Sequence, residues 1–229
     1  MNKILICGFP HCGTTILKSI IGHIDDVEEI VDETDKIDKT IHVEEGKYIL
    51  CKYPFTLKKF FEKEYDDYIK IFIIRNPLFV FSSLNKRFSN KIPFGHSIDR
   101  YIQTVKLFIT YINNLPANTY LIRYEDLFEN NYQEIRNILD SIGIKYNDEI
   151  FDNSKYKNQH LKSIPHVDNV PLPTDNERYR TWQINQPFVL NNDNSKIYLS
   201  KIQIKKIINN DNILKLYPNI KSAVPTLKL

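Results

Sequence analysis

The segment Gly8-Phe-Pro-His-Cys-Gly13-Thr14-Thr15 sets two glycines five positions apart, between a short apolar run and a stretch with helical spacing. Successive backbone N–H groups in such a loop can cradle a phosphate, and the helix behind it adds partial positive charge. Nucleotide triphosphatases need a Lys directly after the second glycine to reach the outer phosphates, followed by Ser or Thr on magnesium. Thr14 occupies that Lys position, which argues against ATPase, GTPase and simple kinase chemistry. Taken alone, the segment also reads as an ordinary strand-to-helix turn with Thr14 or Thr15 as N-cap. Glycine is otherwise scarce, six of 229 residues, against a usual level of about 7%. Two of those six fall in this one loop, where backbone geometry demands them.

A second group is Arg75-Asn-Pro77 with Ser83 and Arg87 beyond it. If the stretch after Pro77 is helical, Ser83 and Arg87 share a face, being four residues apart. Arg75 sits at the end of an apolar run, and open α/β sheets bind ligands at the carboxyl ends of their strands. The three side chains could then converge on a second anion, since guanidinium groups suit bidentate phosphate recognition. Each of them singly reads better as a solvated Arg or a helix-interior Ser.

The elements that must position these residues follow from hydrophobic spacing. Apolar runs at residues 3–7, 48–52, 69–74 and 119–122 predict four buried strands. Helical periodicity covers residues 14–24, with further helices expected at 57–65, 78–88, 97–115, from 127 to about 142, and at 199–216. Residues 25–38 read as an acidic connector. Near-continuous apolar strands alternating with helices predict an α/β fold, three layers deep, around a central parallel sheet of about four to five strands. From 147 to 195 the chain turns polar and proline-spotted, an irregular segment suited to covering a substrate. The whole chain, 1–229, reads as one domain.

Composition narrows the function classes. Twenty-seven Phe and Tyr residues plus one Trp supply ample apolar area for a core. No window approaches the roughly 18 apolar residues of a membrane span, and Met1 lies too close to the first strand for a signal peptide. The balance of 31 basic against 28 acidic residues gives +3, with signs interspersed, so a nucleic-acid-tracking surface is not expected. Three cysteines, Cys7, Cys12 and Cys51, form no CxxC pair, which points away from disulfides and zinc and toward a cytoplasmic, reducing setting.

With these residues in view, the chain resembles the sulfotransferases that use 3′-phosphoadenosine 5′-phosphosulfate (PAPS). The matching stretches are Gly8-Phe-Pro-His-Cys-Gly-Thr-Thr15, Arg75-Asn-Pro77 through Ser83 and Arg87, and Arg123-Tyr-Glu-Asp-Leu127, with a weaker match at Arg180-Thr-Trp182 followed by residues 199–204. They occur in order across about residues 3–217. The resemblance implies that Pro10, His11, Cys12, Gly13, Thr14 and Thr15 bind the 5′-phosphosulfate, and that Arg75 and Ser83, helped by Arg87, hold the 3′-phosphate. It further implies that Tyr124 lines the nucleotide site and that Arg180 closes over it. Two anion sites on one sheet edge are what a nucleotide phosphorylated at both ends requires.

The chemistry expected is sulfuryl transfer to a hydroxyl of a saccharide or small-metabolite acceptor. By analogy with phosphoryl transfer it rests on positioning and on stabilising charge at the leaving oxygen, with no metal required. Three departures from the family pattern stand out. His11 replaces the usual Lys or Arg; beside a phosphate it could hold a proton and act as general acid. Cys12 stands where Ser is common and reads as a loop residue, not a nucleophile. Leu78 and Phe79 replace a polar pair often seen after Arg-Asn-Pro. The resemblance places the general base at Glu33, within a dense acidic stretch, and an active-site Lys at Lys52. Two rival readings remain at this point: a P-loop phosphotransferase, and a non-catalytic module that binds adenosine 3′,5′-bisphosphate.

Overall fold

The computed structural model of the protein describes residues 2–34, 37, 44–55, 57–88, 91–152, 188, 190 and 192–224. Five parallel strands form one sheet: β1 (Asn2–Gly8), β2 (Val27–Glu33), β3 (Tyr48–Lys52), β4 (Tyr68–Ile74) and β5 (Thr119–Arg123), in the spatial order β2-β3-β1-β4-β5. The central strand explains why the sheet is parallel and covered on both faces. Ile4, Leu5, Ile6 and Cys7 are all fully buried, so neither face of β1 can meet water. From β1 the chain first runs to the edge strand β2 and returns inward through β3, then crosses over β1 to β4 and β5 on the other side. That reversal opens a crevice at the carboxyl ends of β1 and β4, the place where open α/β sheets bind ligands. Strand registers pair Gly8 with Ile73, Lys52 with both Ile6 and Glu33, and Ile74 with Arg123, which gathers these strand ends at one edge.

The main helices are α1 (Thr14–Ile21), α2 (Pro77–Phe88), α3 (Ile98–Tyr111), α4 (Tyr124–Leu127), α5 (Gln133–Ser141), α6 (Lys201–Ile208) and α7 (Asp211–Leu216). Helix α3 buries Tyr101, Thr104, Val105 and Phe108, the spacing of one helical face. Its N-terminus is capped by the Ser97 side chain, which accepts from the Arg100 N–H. Residues 192–224 lock α2 in place. Buried Asn85 donates to the Tyr198 carbonyl at 2.9 Å and to Gln203 Oε1 at 3.0 Å, while the Tyr198 N–H donates to Ser82 Oγ at 2.8 Å.

Several expected boundaries shift for identifiable reasons. The acidic stretch 25–38 is not a plain connector, because Val27–Glu33 forms edge strand β2. Its acids hid the strand, yet two of them neutralise lysines of the fold: Glu29 Oε1 lies 2.8 Å from Lys18 Nζ and Glu33 Oε1 2.8 Å from Lys52 Nζ. A register shift separates the two pairs along β2. The helix expected at 57–65 is two 3₁₀ turns, and 199–216 divides at Asn210, whose side chain caps α7. Residues 124–141 are likewise divided, since Asn130, Asn131 and Tyr132 adopt positive φ. Of the irregular segment 147–195, residues 153–187 lie outside the described residues.

Candidate functional site

The loop between β1 and α1 is built by close approach. A Cβ on Gly8 would lie 2.5 Å from the Ile73 carbonyl oxygen, and one on Gly13 would lie 2.5 Å from Tyr124 Cδ2. Gly13 also has φ +99°, a left-handed conformation that costs an L-residue strain. It is Gly13, not Thr14 or Thr15, that occupies the N-cap of α1, with no side-chain cap bond. The first-turn amides of α1 therefore carry no side-chain cap of their own, which leaves an eight-residue helix dipole aimed at the loop. Thr14 and Thr15 are buried in that first turn, Cys12 N–H closes the loop onto the Phe9 carbonyl at 3.1 Å, and Pro10 is half-buried beside it.

On the β3 side, Lys52 is 6% exposed, and its ammonium donates to Thr15 Oγ1 at 3.1 Å while pairing with Glu33 at 2.8 Å. Glu33, Lys52 and the first turn of α1 thus form one chain of contacts. The Glu33 side chain stays one-third exposed, accessible to a molecule in the crevice.

On the β4 side, Arg75 is 9% exposed. Its guanidinium carbon stacks 4.2 Å over the Tyr124 ring and lies 5.7 Å from the Phe79 ring centre; Nη1 donates to the His11 carbonyl at 3.4 Å. Phe79 replaces a polar residue of the usual pattern with a ring that Arg75 can still use. His11 Nδ1 and Ser83 Oγ share a 2.6 Å hydrogen bond. These two contacts bring the glycine loop and the Arg-Asn-Pro segment into one site, although 64 and 72 residues separate the partners.

Burial, then the Arg87 guanidinium, His96 and Arg75, push the His11 imidazole from 6.5 down to about 3. The ring is therefore neutral near pH 7 without a ligand, so a bound anion would be needed to restore the proton expected of a general acid. Arg87 is exposed and rests 5.1 Å over the Phe88 ring, within electrostatic reach of His11. Burial raises the Cys12 thiol far above its ordinary value, which removes any nucleophilic role. Arg180 and Trp182 lie outside the described residues.

Two residues that sequence spacing did not single out belong to the same site. Tyr101 Oη donates to the Arg75 carbonyl, and Glu125 Oε1 accepts from the Asn76 N–H at 2.8 Å. Glu125 was visible as the neighbour of Tyr124; Tyr101 carried no signal beyond its place on an apolar helix face. Among the described residues, no cluster of three His, Cys, Asp or Glu side chains could hold a metal, and no helix is long and apolar enough to cross a membrane.

Comparison with solved structures finds the same fold in distant relatives. Mouse sulfotransferase SULT7A1 complexed with PAP is 16% identical, with a TM-score of 0.59 over 97% of this chain and 86% of that one. Retinol dehydratase in complex with androsterone and inactive cofactor PAP is 13% identical, with a TM-score of 0.53 over 99% of this chain and 82% of that one. Among curated proteins no sequence matches the chain. The family model described as the sulfotransferase domain matches residues 1–189. That span contains the glycine loop, the Lys52–Glu33 pair, Arg75 and Tyr124, and the chain belongs to the sulfotransferase domain family.

Proposed function

We propose that this sulfotransferase moves a sulfuryl group from PAPS to a hydroxyl of a saccharide or small-metabolite acceptor, as one domain spanning residues 1–229. The observation that carries the reading is the junction of two anion-binding features. The uncapped start of α1 lies one contact from Arg75, through the His11 carbonyl at 3.4 Å. A donor phosphorylated at two positions needs two such features at a fixed separation, and the PAP bound in the solved relatives supports that identity.

The donor set fits such a nucleotide. Amides of Gly13, Thr14 and Thr15 suit the 5′-phosphosulfate, and the absence of a Cβ at Gly13 lets the Tyr124 ring pack directly against that loop. Arg75 and Ser83 suit the 3′-phosphate, Arg87 adds positive charge at the same side, Tyr124 offers a ring face, and Arg180 is proposed to close the site. When bound, PAPS supplies an activated sulfuryl group; the protein supplies position and charge.

Glu33 accepts the proton of the acceptor hydroxyl as its oxygen attacks sulfur. Lys52 couples that proton to the far side of the reaction. As Glu33 takes the proton it loses its charge and its hold on the ammonium, which then acts fully toward Thr15 and the α1 end, where negative charge develops on the leaving phosphate. Through Ser83, His11 is held against α2, and a neighbouring phosphate raises its proton affinity. His11 is thus a proton donor only with the nucleotide in place.

Thermal shift tests the reading directly. Adenosine 3′,5′-bisphosphate should raise the melting temperature strongly and ATP weakly, and an acceptor screen with radiolabelled sulfate donor should show transfer. Equal responses to the two nucleotides would remove the dedicated 3′-phosphate site. Tight binding with no transfer to any acceptor class would replace an enzyme with a binding module.

A further inference from the structure

The peptide unit joining Arg75 to Asn76 is gripped at both of its polar ends. Its carbonyl oxygen accepts from Tyr101 Oη, which reaches across from α3. Its N–H donates to Glu125 Oε1, on α4, at 2.8 Å. These are two side chains from two different helices, and both act on one peptide immediately beyond the end of β4.

Position makes this grip consequential. Beyond Ile74 the β4 ladder stops, so no strand neighbour orients the next peptide. Asn76 immediately precedes α2, its Oδ1 accepting from the Leu78 N–H at 3.0 Å. Rotation of the 75–76 peptide would change the course of the chain at Arg75 and swing the guanidinium off the Tyr124 ring. Tyr101 has little freedom to do anything else. It is fully buried, with its ring edge-on to Phe9 at 5.1 Å and to Phe81 at 5.7 Å. Glu125 directly follows Tyr124, the ring that carries the guanidinium and closes against Gly13. One short helix therefore supplies both the platform for the Arg75 side chain and the acceptor for its backbone. Burial makes the carboxylate form of Glu125 unfavourable, while the N–H groups of Asn76 and Glu125 itself and the guanidinium groups of Arg75 and Arg123 draw it back. The fold thus holds a largely desolvated carboxyl against this peptide.

We infer that Tyr101 and Glu125 are positioning residues for the second anion site: by fixing both ends of the Arg75–Asn76 peptide they aim the guanidinium, so discrimination in favour of a 3′-phosphate depends on two groups remote from that phosphate. The inference rests on the reading of Arg75 as the 3′-phosphate ligand. A merely structural role would lower stability or weaken all nucleotides alike, whereas a positioning role changes the ratio between two of them.

The test is calorimetric titration of the full chain with adenosine 3′,5′-bisphosphate and with 5′-AMP. Wild-type protein should prefer the bisphosphate. Tyr101→Phe, which removes one oxygen and keeps the ring, should cut that preference by about tenfold, the scale of one hydrogen bond, with 5′-AMP affinity nearly unchanged. Glu125→Ala should do the same, while Glu125→Gln, still able to accept from the Asn76 N–H through its amide oxygen, should restore most of the preference. A wild-type protein without preference would overturn the Arg75 reading and this inference with it. Wild-type preference that persists in Tyr101→Phe and Glu125→Ala would overturn the positioning role alone. Should Glu125→Ala fail to fold by circular dichroism, Tyr101→Phe decides: an unchanged ratio there rejects the inference.

Discussion

The two flanks of β1 carry charge in opposite ways. On the β2–β3 flank, Lys18 and Lys52 are buried, and each pairs with a more exposed carboxylate of β2, Glu29 or Glu33, at 2.8 Å. Positive and negative charges cancel locally, so this flank has little net attraction for a dianion but holds a carboxylate near the crevice. On the β4–β5 flank, Arg75 is oriented by the Tyr124 and Phe79 rings and by a clamped peptide. Ring faces orient this cation, and the carboxyl that acts on it electrostatically, Glu125, is engaged by the Asn76 N–H and disfavoured in its charged form by burial. On the function proposed above, one flank exchanges a proton and the other holds an anion, with the α1 N-terminus between them. The proposed reaction uses this division: the 3′-phosphate is held on the flank away from the base, while the reacting phosphate lies at the α1 end, within reach of Lys52.

The sharpest way to break the comparison is Glu33→Gln. It should lower kcat by about 10²–10⁴-fold, the usual worth of general base catalysis, while leaving adenosine 3′,5′-bisphosphate affinity unchanged by calorimetry. Unchanged turnover would move the base off this flank. Arg75→Ala should weaken the bisphosphate by about 10–100-fold, as expected for charge-assisted hydrogen bonds, and leave 5′-AMP nearly untouched; a uniform loss would strip the β4 flank of its assignment. Gly13→Ala bears on the boundary between the flanks. Its φ of +99° and the 2.5 Å approach to Tyr124 predict a loss of about 1–3 kcal/mol in urea unfolding. The same substitution in a Tyr124→Ala background should cost less, because the clash is relieved; equal costs would show that loop and ring act independently.

The smallest effect concerns pH. His11 is pushed from 6.5 to about 3 by burial and by Arg87, His96 and Arg75. The unfolded chain therefore takes up a proton between those values and the ligand-free folded protein does not. This contribution to stability is complete above about pH 6.5 and declines as pH falls toward 3. By pH 5 it should amount to about 2 kcal/mol of destabilisation, measured as the difference between wild type and His11→Asn in urea unfolding at pH 7.5 and pH 5. An identical pH response in both proteins would show that His11 is not desolvated. Adding the bisphosphate should flatten the wild-type curve, since a bound phosphate favours the protonated ring.

The strongly apolar strands were legible from residue order because burial on both faces leaves a continuous hydrophobic run, as in Lys3-Ile-Leu-Ile-Cys7. The edge strand Val27–Glu33 was not. Its acids serve as ion-pair partners for lysines 11 and 19 positions away, and nothing local announces a partner at that range. The site divides in the same manner. Glycine at 8 and 13 and the missing loop Lys could be read directly, since left-handed backbone and phosphate reach are properties of single positions. Tyr101 and Glu125 could not, because their function lies in meeting one peptide from two helices.

Residue order alone therefore settled the parallel α/β plan, the glycine loop and the candidate cations, all consequences of local conformational preference and hydrophobic spacing. Folding in three dimensions decided the rest: which lysine meets which carboxylate, that burial and nearby cations lower the proton affinity of the His11 ring, and where the Arg75 guanidinium is aimed. Those are effects of desolvation and of contacts between strand ends far apart in the chain, and they exist only once the sheet has brought those ends to one edge.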